Sequence, residues 1–311
     1  MKKNLPSNAV IAANWDYGSH INVLANKATI IDEDHYIPYW IYLFNRHVLC
    51  AQTETEALQF LKMHGATHLV ISDGNIHGFN IHSYLGSNET LDRYVVPVPL
   101  VQTSQNDDSS KIYLAPEWSP NIDIEIEGKT YASHEWFLKQ VVLEFEPNSD
   151  DKTKALQIKG VYAIVNTKEK SFKLPLNIQG EKISTESDFF PGGFSVFQIE
   201  DEQKEGVKKW QAVYLPEVGH NALAIKLYLR QIETPHFKLV YSNSVDSLSQ
   251  GVKVWEIIYP PNLEPNPAYL ETEFKPKELY RSWMLGESKR IIAGAGSDEI
   301  RNLWTAPLLG K

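Results

Sequence analysis

The spacing of apolar and polar positions changes character twice along this chain. In the first hundred residues, apolar runs of strand length alternate with helical spacing. AVIAAN (Ala9 to Asn14) and ATHLVIS (Ala66 to Ser72) read as buried strands, with TETEALQFLKMHG before the second as a helix. That helix is marked at both ends: Thr53 with Glu56 forms a capping-box pattern, Ala57, Leu58 and Leu61 share one face, and Gly65 stands where a C′ residue belongs. Asp73-Gly74-Asn75 then predicts a turn. From about Lys111 to Pro216 a period of two takes over, in NIDIEIEGKTY, KALQIKGVYAIVN, KSFKLPLNI and FSVFQIED, and predicts antiparallel sheet. WFLKQVVLEFE fits either a strand or a short helix. Val218 to Gln231 returns to helical spacing, with Ala222, Ile225 and Leu229 on one side, before HFKLVYS and VKVWEIIYP return to strand.

The fold class this implies is α+β: a mixed α/β core with a β-rich antiparallel insertion or second domain. Residues 1–105 would form the core, 106–217 the β-rich part, 218–260 the helix and strands that return to the core, and 261–311 a linker with a peripheral C-terminal segment. The polar centre of PVPLVQTSQNDDSSK reads as an exposed loop, and PPNLEPNP (Pro260 to Pro267) as a linker or extended arm.

Composition narrows the function classes. A chain of 311 residues can bury a core without disulfides, and its single cysteine, Cys50, reads as a small buried apolar residue. The net charge of −9, from 39 acidic against 30 basic residues, argues against a surface that tracks phosphates, so nucleic acid is not an expected partner. No run reaches the roughly 20 apolar residues of a membrane span, and MKKNLPSNAV lacks an apolar signal core. No GxSxG, HExxH, P-loop, GxGxxG or CxxC pattern occurs.

The stretch with most chemistry is Trp15-Asp16-Tyr17-Gly18. An indole is a donor only and a carboxylate an acceptor only, so the two together can grip a hydroxyl, which both gives and takes a hydrogen. Coming after AVIAAN and closing on glycine, the stretch reads as a strand end that turns sharply outward. It also fits a half-buried tryptophan followed by an ordinary turn aspartate.

The order of elements after this motif resembles the soluble C-terminal domain of the oligosaccharyltransferase catalytic subunit, in a divergent, archaeal-like form. In that family a WWDYG motif precedes an acidic stretch, an amphipathic helix and a strand. The counterparts here are Trp15 to Gly18, Thr29 to His35, Thr53 to Gly65 and Ala66 to Ser72. The likeness resumes at HNALAIKLYLRQIETPHFKLVYSNS and VKVWEIIYP, so resembling segments cover roughly half of the chain. The chain departs from the family pattern in two places. Asn14 stands where the first tryptophan belongs, and ISDGNIHGFNIHSYLGSNETLDRYVV has no lysine for the second family motif. Asp298-Glu299-Ile300-Arg301 has a similar spacing but is out of order.

The resemblance implies an extracytoplasmic domain that helps to recognise the acceptor sequon Asn-X-Ser/Thr in protein N-glycosylation. Trp15 and Asp16 would hold the Ser or Thr hydroxyl, Tyr17 would pack behind the turn, Gly18 would permit it, and Asn14 would border the site. It also implies a membrane-embedded N-terminal domain with a lipid-linked oligosaccharide, where a divalent metal (Mg or Mn) and the catalysis would reside. No cofactor is expected in this chain, which alone would be inactive. The alternative is a non-enzymatic binding or scaffold domain that keeps the fold. A third reading, a carbohydrate-binding or glycosidase-like protein, rests on Trp118, Trp136, Trp210, Glu125 and Glu127, residues that are ordinary in a sheet.

The remaining candidates are simpler. His77 and His82 with Asp73 could ligate a metal from a loop, but solvated loop histidines explain them as well. His64 and His68 straddle a helix end, and Asp32-Glu33-Asp34-His35 reads as surface acidity, while the resemblance would give it a role close to the acceptor region. Asn88-Glu89-Thr90 is itself a sequon, an acceptor only in a glycosylating compartment.

Overall fold

In the computed structural model the described residues are 5–33, 37–103, 110–118, 122–146, 158–183, 189–200, 208–243 and 251–273. Met1–Thr272 forms one compact unit and Glu273–Lys311 a second, of which only Glu273 is described. The class is α+β, with a mixed five-stranded sheet and a larger, mostly antiparallel one.

The chain opens with β1 (Val10–Ala12), α1 (Trp15–His20), β2 (Ala28–Thr29), α2 (Pro38–Phe44), α3 (Glu54–Met63), β3 (His68–Ser72), α4 (Asp73–His77) and α5 (Phe79–Leu85). Wide-turned segments continue α1 over Ile21–Ala25 and α2 over Asn45–Leu49. The β-rich part follows: β4 (Val98–Gln102), β5 (Ser110–Trp118), β6 (Ile124–Ile126), β7 (Lys129–Tyr131), β8 (Trp136–Phe145), β9 (Ile158–Thr167), β10 (Ser171–Pro175), β11 (Asn177–Ile178), β12 (Gly193–Glu200) and β13 (Lys208–Leu215). The chain then returns through α6 (Glu217–His220), a third wide-turned stretch (Ile225–Leu229), β14 (Phe237–Ser242) and β15 (Val252–Ile257).

The small sheet has the order β14-β15-β3-β1-β2. β1 is parallel to β2 and β3, while β15 runs antiparallel to β3 and β14. Strands buried on both faces suit this parallel centre, and every residue of β3 is buried. The large sheet has the order β10-β9-β8-β5-β4-β13-β12-β11, antiparallel except for the β11–β12 pair. Its burial alternates as antiparallel sheet should, as in β8, where Trp136, Leu138, Val141, Leu143 and Phe145 face inward. WFLKQVVLEFE is thus a strand. The β6–β7 hairpin packs Ile124, Ile126 and Tyr131 onto the same core, and its two turn residues, Glu127 and Gly128, both have positive φ, as a two-residue hairpin turn requires.

Three local expectations change. AVIAAN holds only a three-residue strand, and WDYG is the first turn of a helix rather than an outward turn. Asp73-Gly74-Asn75 also opens a helix, because Ser72 caps it and the Asn75 side chain bonds back to the Ser72 N–H. The Pro260 to Pro267 arm and the residues just after it lie against the helices: Lys62 donates to Leu263 O (2.8 Å), His64 bonds Tyr269 O (2.9 Å), and Trp40 Nε1 donates to Glu271 O (2.9 Å).

The α3 cap follows the expected pattern on one side only. Thr53 Oγ1 accepts from Glu56 N (3.2 Å), but the Glu56 carboxylate turns to Gln52 N (3.0 Å), His47 Nδ1 (2.9 Å) and Arg93 Nη2 (3.1 Å). Burial alone would raise the Glu56 pKa, but the hydrogen bonds from His47 and Gln52 and the Arg93 charge together hold it below the usual carboxylate range. A lowered folded pKa adds stability above the unfolded value near ~4.3, and that stability is lost as pH falls through the folded value. In urea titrations Glu56→Gln should therefore cost about 1–3 kcal/mol at pH 7, with the gap closing between pH ~4.3 and lower values.

Candidate functional site

The site is built where the first strand meets the first helix. β1 ends at Ala12, Asn14 takes an extended conformation (φ −60°, ψ 147°), and the chain coils into α1 with Tyr17 N donating to Asn14 O at 3.0 Å. Asp16 thus lies in the first turn of α1, where a carboxylate is favoured.

Gly18 sets where this helix sits. A Cβ there would collide with the Ile31 carbonyl oxygen and the Asp32 backbone, so the segment after β2 crosses directly over α1 at a position only glycine tolerates. Gly18 is helical, so its expected role as the residue that permits a sharp turn is replaced by close backbone approach. Asn22 fastens the crossing segment, accepting from Thr29 Oγ1 (3.1 Å) and donating to Asp32 Oδ2 (3.0 Å).

Tyr17 anchors the other side. Its hydroxyl lies 2.8 Å from Ser72 Oγ, at the cap of α4, while its ring packs on the small-sheet core of Ile11, Ile21, Val70 and Val254. From Ser72 a buried polar chain runs on. Ser72 Oγ reaches Asn75 Oδ1 (3.3 Å), Asn75 Nδ2 reaches His82 Nε2 (3.3 Å), His82 Nδ1 reaches Asn45 Oδ1 (2.9 Å), and Asn45 Nδ2 donates to Ile41 O (2.8 Å). The ends fix the direction of every donor. Asn45 presents its oxygen to His82 Nδ1, which must carry the proton, and Asn75 presents its amide hydrogens to Nε2, which must not. This is a neutral histidine. His82 is therefore a buried link between helices, not a solvated loop residue.

Two acceptors at the start of α1 are left over among the described residues. Asn14 is 3% exposed, yet its side chain does not cap α1, and its Oδ1 has no hydrogen-bond partner among the described residues. Asp16 Oδ1 has none either. Burial raises the Asp16 pKa, its own backbone N–H and the Asn14 amide oppose that rise, and the Glu33 charge adds to it. Trp15, half-buried, stands between Asn14 and Asp16 in the chain. Tyr17 and Gly18 thus hold the helix whose first turn carries Trp15 and Asp16.

The other candidates disperse. Among the described residues no group of three or more His, Cys, Asp or Glu side chains is placed to hold a metal ion. His77 is exposed, His64 is packed between Trp40 and Phe60, and His68 bonds Thr67 Oγ1 (2.8 Å). Asp34, His35 and Asp298 to Arg301 lie outside the described residues, as do the side chains of Trp118 and Trp210. Trp136 is core, and Glu125 and Glu127 are exposed, Glu127 bonding Lys170 (2.8 Å). Cys50 is buried, which pushes its thiol pKa up. Asn88 accepts from Thr90 N (2.9 Å) and Thr90 Oγ1 (2.8 Å), folding its sequon into a tight turn.

No protein-family model and no curated protein matches the chain. Among solved structures it is similar to the C-terminal domain of PglB from C. jejuni, at 13% identity and a TM-score of 0.38, over 82% of this chain and 96% of that one. A likeness at that level establishes neither an activity nor a site. Among the described residues no helix is long and apolar enough to cross a membrane.

Burial pushes the His82 pKa down to about 4. Between the unfolded value near ~6.5 and that folded value the unfolded chain binds the extra proton, so stability falls as pH falls through the window. His82→Gln should remove a slope worth about 3 kcal/mol between pH 6.5 and 4, read from urea midpoints of both proteins across that range.

Proposed function

We propose that this chain is an acceptor-recognition domain of an oligosaccharyltransferase-like protein, holding the Ser or Thr hydroxyl of an Asn-X-Ser/Thr sequon at Trp15 and Asp16. The observation that supports the reading is Asp16 Oδ1, in the first turn of α1 beside a tryptophan and without a hydrogen-bond partner among the described residues. The sequence supports it through the order of motif, crossing acidic segment, capped helix and strand. A hydroxyl would donate to Asp16 beside the Trp15 indole, and a valine in its place would leave the Asp16 oxygen without that donor.

On this reading the domain works on the extracytoplasmic side, beside a membrane-embedded domain that supplies the lipid-linked oligosaccharide, the divalent metal (Mg or Mn) and the transfer chemistry. The residues of this chain bind and orient; none performs catalysis. A second reading, a scaffold without acceptor binding, draws on Tyr17 and Gly18, whose contacts are fully explained by packing of α1.

Calorimetric titration with Asn-Ala-Thr and Asn-Ala-Val peptides separates the two. Wild type should prefer the threonine peptide by about five- to a hundredfold, from roughly 1–3 kcal/mol per stranded group. Asp16→Asn and Trp15→Ala should erase that preference without unfolding the domain. Binding should fade as pH falls through the raised Asp16 pKa, because a protonated carboxyl accepts less well. Equal affinity for both peptides in wild type would favour the scaffold.

A further inference from the structure

The helix that carries Trp15 and Asp16 leaves one side open. Tyr17, Ile21 and Ala25 turn to the small-sheet core, while Gly18 and Asn22 meet the crossing segment at Ile31 and Asp32. The remaining side carries Asp16, His20 and Leu24 at intervals of four, with Val23 beside Leu24. His20 is exposed, and so are the two apolar residues. Val23, at 76%, is the most exposed large apolar side chain among the described residues, and Leu24 stands at 67%.

The backbone sets this register. Four residues overshoot one turn of a regular α-helix by about 40°, which would carry Leu24 from the line of His20 round towards the side held by Tyr17. The wide turn over Ile21–Ala25, with its longer hydrogen-bond step, takes up most of that overshoot and returns Leu24 to the line of Asp16 and His20. Asn26, left-handed at φ 52°, then ends the helix.

Exposed apolar side chains scattered singly need no explanation, but these two are adjacent and lie in line with the acceptor motif. From Asp16 to Leu24 the helix rises by about 12 Å. An extended peptide advances about 3.3 Å per residue and turns alternate side chains to the same side. Laid along this face with its Ser or Thr at Asp16, it brings the side chain four residues away, about 13 Å on, over Val23 and Leu24. The occupant is the acceptor polypeptide itself, because the patch continues the helix face that begins at Asp16.

We propose that Val23 and Leu24 form an apolar subsite that selects acceptor polypeptides with a leucine-like side chain at the fourth residue from the Ser or Thr of the sequon. The subsite rests on the acceptor reading of Trp15 and Asp16 and adds a preference outside the sequon.

Calorimetric titration of the whole chain tests it with Asn-Ala-Thr and Asn-Ala-Val peptides, each carrying leucine or serine four residues before or after the Thr or Val. Wild type should bind the leucine form about five- to tenfold more tightly than the serine form on one side of the sequon, from partial burial of one leucine. Val23→Ser combined with Leu24→Ser should remove the leucine preference and keep the threonine preference. The urea midpoint should not move, because both side chains are exposed in the folded chain. A threonine preference without a leucine preference would overturn the subsite and leave the acceptor reading standing, whereas no threonine preference in either series would overturn both. A leucine preference that survives the double substitution would overturn the subsite. So would the absence of that preference together with binding to phosphatidylcholine vesicles by wild type but not by the double variant, which would assign the pair to lipid contact.

Discussion

The arrangement around α1 depends on one buried chain of hydrogen bonds, from the Tyr17 hydroxyl through Ser72, Asn75 and His82 to Asn45. It ties the motif helix to the end of β3, to α4 and α5, and to the continuation of α2. Every link is satisfied with one assignment of protons, and a fully satisfied buried network rigidifies what it joins. A charged His82 would set N–H against N–H at Asn75, so the network also requires the ring to stay neutral. With Tyr17 held from below and Gly18 pressed against the segment at Ile31 and Asp32, α1 has little freedom to rotate. Asn14, Trp15 and Asp16 sit at a helix start that is fixed on two sides.

The polar groups of the fold thus divide into two kinds. Those of the Tyr17 chain, and the Glu56 carboxylate with its partners, are paired and serve packing. The Oδ1 atoms of Asn14 and Asp16 have no hydrogen-bond partner among the described residues, and such groups oppose folding unless a partner arrives. The apolar core of the large sheet, with Trp136, Phe190, Phe194 and Tyr214 in edge and tilted contacts, gives the molecule a stable body against which such groups can be kept.

The elements legible in the sequence were those specified locally. Thr53 and Gly65 bounded α3 because caps act within one turn, and the alternation of the middle segments matched a sheet that buries one face. WDYG was misread in shape because glycine after a strand signals a turn, whereas the demand on Gly18 comes from a backbone thirteen residues away. Asp73-Gly74-Asn75 has turn residues throughout, and only the Ser72 cap converts them to a helix. Trp15 and Asp16 were visible as a chemical pair, but the stranding of Asn14 Oδ1 was not, since it depends on an asparagine declining its usual capping role.

The central claim is that acceptor peptide meets this chain at the start of α1. The most direct measurement is photo-crosslinking with a peptide that carries a photoreactive group beside the threonine of Asn-X-Thr, with crosslinked residues located by mass spectrometry. The account predicts adducts concentrated on residues 14–20 and the crossing segment near Asp32, and competition by unlabelled threonine peptide but not by its valine counterpart. Adducts spread over the large sheet, or equal competition by both peptides, would contradict it.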